Sequence, residues 1–157
     1  MNLTAEEIEA IRAEAAHYEQ ASAASIEALK IVQAHRGWVS DENLADIAEL
    51  LGMSPAQLDG VATFYNLIYR RPVGRKVIHY CNSVSCWMLG AEDHREYLQQ
   101  KLGVKLGETT ADGEFTLLPI VCLGACDKAP VMMVGDETHM NVDRAAIDRI
   151  VSTRGGS

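Results

Sequence analysis

The chain has no run of apolar residues approaching the roughly 20 that a membrane helix needs, no C-x-x-C, no P-loop, and no G-x-G-x-x-G opening a helix after a strand. These absences exclude, in turn, a helical membrane anchor, a thioredoxin-type dithiol, a phosphate cradle and a dinucleotide-binding turn. The start, MNLTAEEIEAIRAE, is acidic where a secretory signal would be basic and then apolar, so the sequence predicts a cytoplasmic protein. Basic charge is scarce in the first half: residues 1–69 hold eleven acids against three bases (Arg12, Lys30, Arg36), whereas 70–157 hold eleven of each. A polyanion would be repelled by that first half, and the second carries no basic stripe interleaved with aromatics, which argues against nucleic acid as a partner.

What remains is a chain of 157 residues, 48% apolar, long enough to bury a core as one domain or two small ones. Thr4 with Glu7 forms a capping box ahead of Ile8, Ile11 and Ala15, predicting a helix over about 5–17. A second is expected from near Ser22, with Ile26, Leu29 and Val32 on its apolar face, to Gly37. Ser40 caps a third bearing Leu44, Ile47, Ala48 and Leu51, and Ser54-Pro55 with Gln57 opens a fourth bearing Leu58, Val61, Ala62, Phe64 and Tyr65. Residues 1–70 thus read as an acidic helical bundle. The turn Arg70-Arg71-Pro72-Val73-Gly74 marks a boundary. Beyond it the pattern alternates: strand 76–80, helix 89–102, strands 115–118, 131–134 and 137–140, and a last helix capped by Asp143 and running through Val151. The fold class is therefore α+β, a helical bundle followed by an α/β domain over 71–157. The terminal Gly155-Gly156-Ser157 is expected to fray.

Cysteine is the sparse residue that matters most. There are four, in two close pairs: Cys81 and Cys86 as C-x4-C, Cys122 and Cys126 as C-x3-C, with 35 residues between the pairs. Both pairs are expected in loops. Each loop delivers two sulfurs, so the fold has only to bring two loops together, which limits the ordering entropy a site must overcome. Three outcomes compete. Structural zinc usually uses C-x2-C knuckles, absent here; two disulfides suit a small secreted scaffold; a [2Fe–2S] cluster needs two thiolates on each of two irons. A plant-type ferredoxin would need C-x4-C-x2-C, and a Rieske centre would need histidines inside its loops, where none of the five histidines falls. His79 sits in the expected first strand and is not a preferred ligand.

The runs GVATFYNLIYRRPVGRKVIHYCNSVSCWMLG and TTADGEFTLLPIVCLGACDKAPVMMV, with SIEALKIVQAHRGWVSDENLADIAELLG in the helical half, resemble the small thioredoxin-like [2Fe–2S] subunit of the NADH-dehydrogenase module of bacterial respiratory complex I. Gamma subunits of NAD-linked formate dehydrogenases and small diaphorase subunits of bidirectional hydrogenases share the cysteine pattern. The resemblance implies a thioredoxin-like second domain in which Cys81, Cys86, Cys122 and Cys126 bind one [2Fe–2S] cluster. It also implies a partner subunit that carries FMN, the NADH site and a [4Fe–4S] cluster, within a larger NADH:quinone oxidoreductase at the inner membrane. The chain would then be a non-catalytic electron-transfer subunit, the alternatives being the equivalent subunit of an NAD-linked formate dehydrogenase or bidirectional hydrogenase, or a zinc-binding adaptor. By the same resemblance Pro130 stands where a cis proline is common. Gly124 could turn N–H groups toward sulfur, Trp87 and Met88 either screen a cluster or pack in the core, Met132 and Met133 belong to strand core, and Arg70, Arg71, Arg75 and Lys76 either dock a partner or form a solvated turn.

Overall fold

The computed structural model describes residues 1–152, so the expectation for Gly155-Gly156-Ser157 lies outside the described residues. The chain divides into two compact units, one over Met1–Pro72 and one beginning at Val73.

The first unit is helical: α1 (Ala5–Ala15), a 3-10 turn (Ala21–Ala24), α2 (Ser25–Arg36), α3 (Asp41–Leu51) and α4 (Pro55–Phe64). Local sequence sets the starts. Thr4 and Glu7 exchange both capping-box bonds at the head of α1, Ser54 and Gln57 do the same for α4, and the Ser40 hydroxyl accepts from Asn43 N–H at α3. Gly37, at φ +80°, closes α2 in the left-handed region. Ile11, Leu29, Val32, Ile47 and Leu58 lose all contact with solvent in one core. Glu7 is buried beside them, held by Arg36 through Nε to Oε1 at 2.7 Å and Nη2 to Oε2 at 2.6 Å. Arg70 is bound within this unit, to Asp59, to Asp41 and to the Val39 carbonyl, so it holds the end of the bundle closed and is not a free docking cation.

Three expectations need correction here. The segment after Ser22 first makes the 3-10 turn, and the α-helix starts at Ser25. The first helix stops at Ala15, short of His17. Phe64 and Tyr65 do not line the core: Tyr65 leaves the helix with an extended ψ of 109°, and both side chains turn outward, 77% and 42% exposed. Helical spacing cannot assign a face to a residue on which the helix ends.

The second unit is a four-stranded mixed sheet in the order β2-β1-β3-β4, with β1 Lys76–Cys81, β2 Phe115–Ile120, β3 Met132–Val134 and β4 Glu137–His139. β1 runs parallel to β2, so the chain must cross over between them, through a short α5 (Val84–Met88) and α6 (Ala91–Leu102). β3 and β4 complete the sheet antiparallel, and α7 (Arg144–Ser152) packs on α6. Ile78, Leu98, Phe115, Leu117, Met132 and Ile147 fill the core. Met132 is thus strand core, whereas Met133 is only half-buried. β2 continues through Pro119 to Ile120, past the expected stop at Leu118; β2 is an edge strand, where a missing N–H costs the sheet nothing. α6 begins at Ala91 rather than Leu89 because Gly90, at φ +91°, interrupts it. Among the described residues no helix is long and apolar enough to cross a membrane.

Candidate metal centre

β1 ends at Cys81, whose N–H donates to the Val131 carbonyl at 3.2 Å while the next N–H, of Asn82, donates to Ile120 at 3.1 Å. The first sulfur is therefore fixed between the two segments that flank the central strand. Five residues later Cys86 sits on α5, one short turn whose first bond is Trp87 N–H to the Ser83 carbonyl at 2.9 Å. Cys86 is a helical residue, so the expectation that both pairs lie in loops is wrong for the first pair: Cys81 belongs to a strand and Cys86 to a helix. Five residues are too few to show a 3.6-residue repeat, and α5 escaped sequence reasoning for that reason. The only available signal was Ser83, a cap-type residue just ahead of Val84-Ser85-Cys86.

The second pair follows the edge strand. Gly124 stands between Cys122 and Cys126 at φ +78°, and its N–H donates to Cys122 Sγ at 3.3 Å. A Cβ built there would meet nothing within 4 Å, so backbone conformation and not space demands glycine. Cys126 opens a 3-10 turn, Cys126–Lys128, and the Ala129–Pro130 peptide after it is cis. Cys122 Sγ and Cys126 Sγ lie 3.7 Å apart. A disulfide would need about 2.05 Å; two thiolates on one tetrahedral metal, each at about 2.3 Å, lie about 3.8 Å apart. All four cysteines are free thiols.

The two pairs differ in surroundings. Cys81 and Cys86 are 2% and 1% exposed and share a small core with Ala91, Ile120, Ala129 and Val131, whereas Cys122 and Cys126 are exposed. Burial pushes the Cys86 thiol up to about 11, with the neighbouring Cys81 and the charge of Cys126 acting in the same direction. Burial also opposes ionisation of Cys81, but the Ser83 hydroxyl and N–H, Cys86 and the Leu123 N–H outweigh it and hold that thiol below its ordinary value. Cys126 is raised by its contact with Cys122, then by that residue's charge, and by Cys81. Sulfurs from different pairs therefore act on one another electrostatically. Among the described residues no three Cys, His, Asp or Glu side chains group as one ion would need. His79 is buried in β1, and burial lowers its pKa.

The large apolar side chains that flank the cysteines in the chain are open to solvent: Val84, Trp87, Met88, Leu89 and Val121 are each 58% exposed or more. Trp87 and Met88 are therefore not core residues.

The comparisons agree with this geometry. A family model described as thioredoxin-like [2Fe–2S] ferredoxin matches residues 11–154. The chain is 52% identical to a subunit of the NADH-quinone oxidoreductase of Escherichia coli (strain K12) over 149 residues, 95% of this chain and 90% of that protein. It is 52% identical to the corresponding NADH-quinone oxidoreductase subunit of Pseudomonas aeruginosa over 140 residues, 89% of this chain and 84% of that protein. In fold it resembles a chain of an NAD+-reducing [NiFe]-hydrogenase in the H2-reduced state, with a TM-score of 0.69 and 22% identity, over 82% of this chain and 22% of that one. A match over that length, with paired free thiols at the end of β1 and beyond β2, establishes that the chain belongs to the thioredoxin-like [2Fe–2S] ferredoxin family.

Proposed function

We propose that this chain is the [2Fe–2S] electron-carrying subunit of an NADH:quinone oxidoreductase, with Cys81, Cys86, Cys122 and Cys126 as the four ligands. The domain from residue 71 onward holds the cluster, and the acidic bundle of 1–70 is a helical module that contributes none of the four sulfurs. One observation carries the reading: two pairs of free thiols, one pair with its sulfurs 3.7 Å apart, in a chain of this family.

Bound there, a [2Fe–2S] cluster supplies a one-electron redox site. The residues of the chain prepare that site. Cys81 and Cys86 present their sulfurs from an apolar core that excludes water on one side. The Gly124 N–H donates to Cys122 at 3.3 Å, and the backbone at Leu123 and at Val131 favours the charged forms of Cys81 and Cys86, offsetting part of the negative charge that four thiolates concentrate. Cys122 and Cys126 are exposed, and the large apolar side chains that flank the cysteines in the chain, Val84, Trp87, Met88, Leu89 and Val121, are exposed too, an apolar rim suited to a protein partner. That partner is the NADH-oxidising subunit bearing FMN and a [4Fe–4S] cluster, and single electrons pass between its flavin and this site. NADH is oxidised there, so this chain contributes no catalytic acid, base or nucleophile, and it lies at the cytoplasmic face of the inner membrane only through the complex.

The test is electron paramagnetic resonance of the anaerobically purified chain before and after reduction. A [2Fe–2S] signal on reduction by dithionite, and on reduction by NADH only when the flavoprotein is added, is the expected result. Stoichiometric zinc without iron or acid-labile sulfide would replace this reading with a structural one.

A further inference from the structure

The residue between the first two ligands that the family reading does not use is Ser83. It stands at the position preceding α5 with φ −73° and ψ 166°, the backbone of an N-cap serine, yet its side chain makes no capping bond to the helix. Ser40 and Ser54, with φ −72° and −76° and ψ 169° and 149°, spend their hydroxyls on the N–H groups of Asn43 and Gln57. Ser83 spends its own elsewhere: Oγ lies 3.3 Å from Cys81 Sγ.

The direction of that bond follows from the chemistry of a ligand. Protonated, Cys81 has a second contact to which it can donate, the Val121 carbonyl at 3.7 Å. A cysteine that binds metal is a thiolate and has no proton to give, so the hydroxyl of Ser83 must then be the donor. A hydroxyl donating to a ligand sulfur takes up part of its charge. Accepting one electron, with no bond made or broken and no proton taken, changes a [2Fe–2S] core with four thiolates from a net charge of about −2 to about −3. The O–H dipole interacts more strongly with the more negative state, and it does so beside a sulfur only 2% exposed, where water cannot replace it.

Resting on the ligand assignment above, we propose that Ser83 is a positioning residue for electron transfer: acting through Cys81, its hydroxyl raises the reduction potential of the site and so favours reduction. A second hydroxyl, of Ser85, favours the ionised form of Cys126 and provides an internal comparison on an exposed sulfur, where water can substitute for it.

The experiment is a potentiometric titration of the cluster-loaded full chain, followed by electron paramagnetic resonance, in wild type and in Ser83→Ala, Ser83→Gly and Ser83→Thr. Glycine is tolerated before a helix almost as well as serine, so it separates the hydroxyl from helix initiation. Alanine and glycine should both move the midpoint to more negative potential with the cluster signal retained, threonine should stay near wild type, and Ser85→Ala should shift less than Ser83→Ala. Reduced wild type exchanged into deuterium oxide should show a strongly coupled exchangeable deuteron that the alanine and glycine chains lack. An unmoved midpoint in both hydroxyl-free chains, or an equal shift in threonine, would overturn the proposal while leaving the ligand assignment standing. A wild-type chain with no [2Fe–2S] signal would overturn the ligand assignment itself, and this proposal with it.

Discussion

The helical unit hides its one buried charge behind a complete set of partners, whereas the sheet unit leaves half of its thiols open to water. In the first, Glu7 is fully buried and answered by Arg36 and by Thr4, and the core around it is closed. In the second, Cys81 and Cys86 are sealed while Cys122, Cys126 and a rim of large apolar side chains face outward. The difference separates two uses of burial. A structural charge is stabilised by removing water once and supplying every hydrogen bond. An electron carrier needs one dry side to define the site and one open side by which a partner can approach.

Breaking the second unit has the largest expected effect. Cys86→Ser replaces a sulfur only 1% exposed with a harder donor that a dry core does not easily ionise, and should abolish the [2Fe–2S] signal. Cys122→Ser, at an exposed position, should retain an altered signal in part of the molecules. The helical unit should keep its far-ultraviolet circular dichroism in both. The matching break in the first unit is Glu7→Ala. Removing Glu7 leaves Arg36, 30% exposed and open to hydration, so the cost should be about 2 kcal/mol, readable as a lower urea midpoint, while the cluster signal should persist. The same pair sets an acid limit. The Arg36 hydrogen bond, against the cost of burial and with help from Thr4, lowers the Glu7 carboxyl from 4.5 to about 2. A carboxyl lowered on folding stabilises fully above its unfolded value and loses that contribution as pH falls through the folded one, here between about 4.5 and 2. A Glu7→Gln chain should unfold with a weaker pH dependence across that window.

Much of this contrast was legible in the sequence, for reasons that differ by region. Thr4 with Glu7 and Ser54-Pro55 with Gln57 announce helix starts because caps are local chemistry, decided within four residues. The pairing Cys81/Cys86 and Cys122/Cys126 marks a candidate site because paired thiols in a cytoplasmic protein, as the sequence predicts, have few other uses. What could not be read depends on surroundings. Phe64 keeps helical spacing and still faces solvent because the helix ends at that turn. Trp87, by composition as much a core residue as a surface one, is exposed because α5 is a single turn lying over buried Cys86. Arg70 looks like a docking cation until Asp41, Asp59 and the Val39 carbonyl are seen around it.

Trp87 gives the next, smaller test. At 61% exposure its loss should change the stability of the isolated chain by no more than about 0.5 kcal/mol. If the apolar rim meets the flavoprotein, Trp87→Lys should weaken binding to that partner by about tenfold or more, measured by calorimetric titration. A substitution of Phe64, also exposed but on the helical unit, tests the comparison from the other side. Equal weakening from both would mean that the partner engages the helical unit as strongly as the sulfur-bearing face.

The smallest effect separates two serines that share a backbone conformation. Ser54 accepts from Gln57 N–H and closes a capping box, so Ser54→Ala should cost the helical unit about 1 kcal/mol. Ser83 has the same extended geometry ahead of α5 but no capping bond to lose. Its replacement should therefore leave the urea midpoint within a few tenths of a kcal/mol of wild type, well below the cost at Ser54. Similar stability losses at the two positions would show that Ser83 caps its helix after all, and that its contact with Cys81 is incidental.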